Sequence, residues 1–165
     1  MATVLDYLNA LPEVLLLEKA NALNTGDIYE VGVTDVVFGI PSAVIASTHD
    51  TEVVVTSAVD SAFVNPQTLK YSRFDLSVLA LIGPTTIALN DGATLADIVA
   101  ELNLRFGFLL QTSDLDESAI TLGNPFTDGD DLVLTATPTS LLYQGTVTLQ
   151  AVHNTVLLSE NDFGA

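Results

Sequence analysis

Over most of this chain apolar and polar side chains alternate with period two, as in Val147-Thr148-Leu149-Gln150-Ala151. That alternation is the mark of a strand with one face buried and one face wet. From residue 28 on, β-branched residues dominate, and ten short strands are predicted: 28–33, 36–40, 42–46, 52–58, 67–71, 85–89, 119–122, 131–136, 145–151 and 155–158. Gly, Pro, Asn and Asp separate them, which is the punctuation of a β-sandwich or barrel. Two regions depart from the period. In the first, Leu5 and Leu8 share a helical face after the candidate cap Thr3, and Pro12 opens a second helix, 13–23, stopped by Asn24-Thr25-Gly26. In the second, Leu95, Ile98, Val99, Leu102 and Phe106 form one helical stripe, with Thr94 and Asp97 placed to cap its start and Gly107 to end it.

These elements give an α+β fold, mainly antiparallel and sandwich-like, with one inserted amphipathic helix near 94–107 and an N-terminal helical arm. The arm takes residues 1–27, the β-rich domain 28–158 and a C-terminal tail 159–165. A repeat runs through the domain. Phe38-Gly39-Ile40-Pro41 echoes Leu122-Gly123-Asn124-Pro125, and each precedes an apolar strand ending in threonine, Val53-Val54-Val55-Thr56 and Leu132-Val133-Leu134-Thr135. Pro66 and Gly145 each follow that threonine by ten residues, ahead of Thr68-Leu69-Lys70 and Thr148-Leu149-Gln150. The physical reading is two related hairpins that face each other or form opposing halves of one sandwich; the alternative is chance similarity between Thr/Val-rich strands.

Charge changes the picture of what such a domain can touch. Four cations (Lys19, Lys70, Arg73, Arg105) stand against 21 acids, a formal charge of −17. Nucleic acid is excluded as a direct partner, because phosphate binding depends on Lys and Arg displacing counterions. Anionic membrane surfaces are disfavoured for the same reason. The 48% apolar content excludes disorder for most of the length. With no cysteine there is neither a disulfide framework nor a thiolate metal site. The N-terminus shows no cationic and apolar leader pattern, and stretches such as Val78-Leu79-Ala80-Leu81-Ile82 are too short to span a bilayer. The expectation is a chain made in a cytoplasm.

Candidate chemistry is sparse. A nucleophilic triad would have to use His49 or His153, and both read as solvated turn residues. There is no phosphate-cradling glycine loop, so no cofactor is expected. Asp128-Gly129-Asp130-Asp131 offers hard oxygen ligands for calcium but lacks the sensor-loop spacing, and reads as a turn with exposed carboxylates; no metal site is assigned. Asp114, Asp116 and Glu117 read as the cap and first turn of a short helix. Paired-carboxylate glycosidase chemistry lacks its aromatic cleft in a chain without tryptophan. No catalytic residue is assigned, and the chain is expected not to be an enzyme.

The densest segment is Lys70-Tyr71-Ser72-Arg73-Phe74-Asp75-Leu76, which holds two of the four cations. As a structural device, Arg73 pairs within the fold while Phe74 and Leu76 enter the core. As an interaction device, Tyr71 and Arg73 anchor a subunit contact, since Arg and Tyr concentrate binding energy. Leu16 and Leu17 join them as candidate contact residues, because apolar side chains run around much of the 13–23 helix and either the domain or a neighbouring subunit can cover them.

These residues carry a resemblance. A Thr/Val hairpin, then Tyr71-Ser72-Arg73-Phe74-Asp75-Leu76, Leu95-Ala96-Asp97-Ile98-Val99 and Leu102-Asn103-Leu104-Arg105-Phe106-Gly107, then a second hairpin, resembles a domain of virion structural proteins of large tailed bacteriophages over roughly residues 36–151. The resemblance implies a particle component without enzymatic activity, located in the virion, whose partners are capsid or tail subunits and further copies of itself. Acidity argues separately for the capsid exterior or tail surface, away from packaged DNA. The expected role is a capsid-exterior decoration or cementing protein. The alternatives are a tail, collar or baseplate component, or a carbohydrate- or calcium-dependent binding module.

Overall fold

The computed structural model describes residues 11–23, 30–45, 47–59, 61 and 65–154. In chain order the elements are α1 (Pro12–Leu23), β1 (Val36–Phe38), β2 (Ser42–Ala43), β3 (Thr51–Ser57), β4 (Gln67–Tyr71), β5 (Phe74–Asp75), α2 (Leu79–Ile82), β6 (Thr86–Leu89), α3 (Leu95–Phe106), β7 (Asp130–Thr135), β8 (Tyr143–Gln144) and β9 (Thr146–His153). The fold is α+β with a mainly antiparallel sheet content, and it does not close into a barrel. In the first sheet β3 is central, with β4 along one edge and β1 and β2 sharing the other, all antiparallel. In the second sheet β9 is central, antiparallel to β7 and parallel to β6. A two-stranded parallel pair joins β5, which follows the first sheet in the chain, to β8, which lies in the connection between β7 and β9.

The two hairpins β3–β4 and β7–β9 repeat each other in register as well as in sequence. Val53 faces Leu69 and Val54 faces Thr68; the matching residues Leu132 and Val133 face Leu149 and Thr148. Register fixes which face each side chain takes. Val53 and Val55 of β3, Leu132 and Leu134 of β7 and Val147, Leu149 and Ala151 of β9 therefore all point into one core. Both hairpins then hand their chain to a parallel neighbour. The Phe74 N–H donates to Leu142 O at 2.7 Å, and the Asn154 N–H to Leu89 O at 2.8 Å. At the first of these junctions Phe74, Phe108 and Tyr143 meet edge to face, with centroids 5.8 to 6.3 Å apart.

Helix α3 forms where the sequence predicts it. Thr94 Oγ1 accepts from the Asp97 N–H at 3.3 Å and Asp97 Oδ2 accepts from the Thr94 N–H at 2.8 Å, a reciprocal capping box. Ile98, Val99 and Leu102 are buried, and Gly107 closes the helix at φ 72°, in the left-handed region. Helix α1 also forms, starting at Pro12, and Leu15 and Leu16 join the main core. The expected helix around Leu5 and Leu8, the stop at Asn24-Thr25-Gly26 and the strand 155–158 lie outside the described residues.

Three expectations are corrected. The described part of 28–33 is not a strand, because the Asn21 side-chain amide of α1 takes both backbone groups of Val31 that a ladder would use, at 3.0 and 3.1 Å. Segment 119–122 is not a strand either. Asp116 Oδ1 accepts from the Ser118 N–H and Oγ, which winds Glu117–Ala119 into a 3-10 turn. His153 is the last residue of β9 rather than a turn residue, with its side chain partly exposed.

Candidate functional site

Alternation along the strands sorts the surface as sharply as the core. The first sheet turns Val37, Glu52, Val54, Thr56, Thr68 and Lys70 outward. Glu52 and Lys70 face each other in register, so that face is neutral. The second sheet turns out Val133 and Thr135 of β7, and Thr146, Thr148 and Val152 of β9, with Asp131 beside Gln150. Among the described acids, only Glu52 and Asp131 lie on these outward faces. The other described acids sit in turns, in helices or at strand ends. Beside the sheets, Ile40, Ile45, Leu81 and Leu104 are each more than 70% exposed.

The sequence-predicted contact residues fall elsewhere. Leu16 and Leu17 are buried by the chain's own packing, so the domain rather than a neighbour covers them. Tyr71 points inward from the end of β4, and its buried hydroxyl has no hydrogen-bond partner among the described residues. Burial pushes that phenol up to about 12; the nearby Asp50 adds to the rise and Arg73 opposes it. Arg73 is half-buried and is spent on internal bonds. Its Nε donates to Thr51 Oγ1 at 3.1 Å, its Nη1 to Ser140 O at 3.4 Å, and its backbone N–H to Asp50 Oδ1 at 3.1 Å. Asp50 also accepts from Gln144 Nε2 at 3.0 Å, which ties the first hairpin to β8. Phe74 and Leu76 enter the core, as the structural reading of this segment requires.

His153 is the second hairpin's counterpart of Arg73: each lies four residues past the matched leucine, Leu149 or Leu69. Here too an aspartate from the turn ahead of the first strand holds the backbone, with the His153 N–H donating to Asp128 Oδ1 at 2.6 Å. The imidazole is clamped between two acids. Nδ1 lies 2.7 Å from Asp128 Oδ1 and Nε2 lies 3.2 Å from Asp91 Oδ1. Its ring stacks on the buried Phe126, with centroids 4.3 Å apart and planes 10° apart. The hydrogen bond to Asp128, then that to Asp91, raises the His153 pKa above its ordinary value. The bonds from His153, backbone first, hold the Asp128 carboxyl below its own. Local sequence gave no sign of this cluster, because its partners lie 25 and 62 residues away. Continuing the repeat for four residues past Leu149 is the signal that would have found it.

Other acids are similarly committed. Asp130 Oδ2 accepts from the Thr127 N–H at 2.7 Å, so the Asp128-Gly129-Asp130-Asp131 turn is held by its own backbone. Asp114 is buried and accepts from Ser140 Oγ at 2.6 Å and from the Gln111 N–H at 2.9 Å. It lines a cleft of about 350 Å³ together with Pro12, Phe38 and Ile40. Among the described residues, no three His, Asp or Glu side chains converge on a metal-sized position, and no helix is long and apolar enough to cross a membrane. His49 is exposed in the turn between β2 and β3, where its N–H donates to Ser47 Oγ at 3.2 Å.

Fold and surface together define an α+β protein built on a duplicated hairpin, with its charge drawn away from two outward sheet faces. The chain belongs to a family of unknown function, DUF7941, whose pattern matches residues 6–161. Neither the curated proteins nor the solved structures contain a match to it.

Proposed function

We propose that this chain is a non-enzymatic structural component of a bacteriophage virion, a capsid-exterior decoration or cementing protein that works by docking its sheet faces on neighbouring subunits. The supporting observation is the near-neutral Val/Thr character of both outward faces on a chain of charge −17. Interface centres are depleted of charge, because a buried unpaired charge costs more than the contact returns. Val54, Thr68, Val133 and Thr148 can be covered without that penalty. The acids around them disfavour DNA and keep particles dispersed. The two hairpin sheets act in this reading as a sandwich-like body, with capsid or tail subunits and further copies of the chain as partners. Of the four contact residues expected from sequence, Arg73 and Tyr71 serve by holding the first hairpin's end in shape.

The experiment is to locate the chain on intact particles by a surface-restricted label and to compare wild type with Val54→Asp and Val133→Asp. Labelling of intact particles, with loss of incorporation by variants that still melt like wild type, is the expected result. Protection until disruption, or absence from purified particles, refutes the proposal. Placement at the tail, collar or baseplate moves the site of action without changing the docking faces.

A further inference from the structure

An imidazole with a carboxylate on each ring nitrogen states its own protonation. A carboxylate only accepts hydrogen bonds, and a neutral imidazole has one N–H and one lone pair. With Asp128 at 2.7 Å from Nδ1 and Asp91 at 3.2 Å from Nε2, both contacts are attractive only for the imidazolium. The three residues come from three places: Asp128 from the turn entering β7, Asp91 from the turn leaving β6, and His153 from the end of the central strand β9. Beneath the ring lies the buried Phe126, whose N–H donates to the same Asp91 Oδ1 at 3.4 Å. The remaining ionisable groups of these elements are otherwise engaged or turned away. Asp130 holds the Thr127 N–H, Asp97 caps α3, Glu101 pairs with Arg105 at 3.4 Å, and Asp131 faces outward opposite Gln150.

We propose that His153 is a proton-operated fastener, which as imidazolium ties the ends of β6 and β9 to the β7 turn and on losing its proton releases one of the two carboxylates. The first hairpin makes the comparison. In the corresponding position Arg73 holds its end through a guanidinium that donates to Thr51 Oγ1 and Ser140 O and keeps its charge at every physiological pH. One hairpin's end is thus permanently fastened and the other's is titratable.

The direction follows from the shifts. His153 is raised above 6.5, so its contribution is complete below that value and is lost as pH rises through the higher folded pKa. Asp128 is lowered from 3.8, so its contribution is complete above that value and is lost as pH falls through the lower folded pKa. The fastener is closed at pH values above the lowered pKa of Asp128 and below the raised pKa of His153, and opens as pH rises through the latter.

The test uses the full chain carrying His49→Gln, so that one imidazole remains. Its ring nitrogens are followed by NMR across the pH range, alongside amide hydrogen exchange at His153 and Asn154. The expected result is a single titration with a midpoint above 6.5, both nitrogens protonated below it, and a midpoint lowered separately by Asp128→Asn and by Asp91→Asn. Exchange at the two amides, corrected for its intrinsic pH dependence, should accelerate above that midpoint. The step should be missing in His153→Gln. A midpoint at or below 6.5, or amide protection that is the same on both sides of it, overturns the proposal. Wild-type titration and exchange decide the matter by themselves if a variant does not fold.

Discussion

Truncating Leu102 to alanine tests the packing of α3 on the core. Leu102 is 1% exposed and lies on the face that also buries Ile98 and Val99. The change removes the equivalent of about three methylene groups, worth roughly 0.8 kcal/mol each in transfer free energy. The hole left behind adds to this, since the surrounding side chains relax only in part, and Leu→Ala in a core costs roughly 2–5 kcal/mol. A loss of about 3 kcal/mol lowers the Tm of a domain of this size by on the order of 6–12 °C. Leu104, two positions along the same helix, is 82% exposed and supplies the control. Leu104→Ala should leave stability within about 0.5 kcal/mol of wild type, because it gains helix propensity and loses little burial. Calorimetric or circular-dichroism melts of the three proteins decide the issue. Equal melting of Leu102→Ala and wild type, or equal losses for the two variants, would refute the helix orientation described above. Leu102→Asp should be worse than alanine, as it forces an unpaired charge into the same place.

Further outcomes follow from single contacts. Tyr71→Phe removes a buried hydroxyl that has no partner among the described residues, so the variant should melt at or above wild type, with a gain of up to about 1–3 kcal/mol by urea denaturation. Thr94→Ala deletes the N-cap of α3 and should cost about 1 kcal/mol near neutral pH. Asp97 is held below its ordinary 3.8 first by the Thr94 hydroxyl, so the gap between this variant and wild type should close as pH falls through that lowered value in acid melts. Gly107→Ala should cost about 1–2 kcal/mol through its left-handed backbone alone, because the new Cβ meets nothing within 4 Å. Gly145→Ala should cost more in the same assay, since at φ 77° its Cβ would also lie 2.5 Å from Asp75 Oδ1.

The parts of the fold legible in the sequence are those specified by neighbours in the chain. Thr94, Asp97, the stripe at Leu95, Ile98, Val99, Leu102 and Phe106, and Gly107 all act within α3 or one residue beyond it, and each takes its expected role. β3, β4, β7 and β9 fall within two residues of their expected ends, because long alternation fixes one face. What escaped was decided at a distance. β5 and β8 are two residues each and exist as strands only through their parallel pairing with one another, across the whole α3 region. Val31 reads as strand until the Asn21 amide is placed beside it. His153 looks like a turn residue until Asp91 and Asp128 close on it from two other loops. Tyr71 and Arg73 stand out in the sequence as candidate contact residues; in the structure Tyr71 is buried and the Arg73 guanidinium bonds internally.

Because the two hairpins share their pairing residue for residue, the molecule carries its own reference experiment. Val53 and Leu132, and Leu69 and Leu149, are matched specimens held in one solvent at one temperature. Swapping the members of such a pair changes side-chain chemistry while the backbone setting stays nearly constant. The difference between the two swaps then isolates what each hairpin's surroundings add, with no second protein needed for comparison.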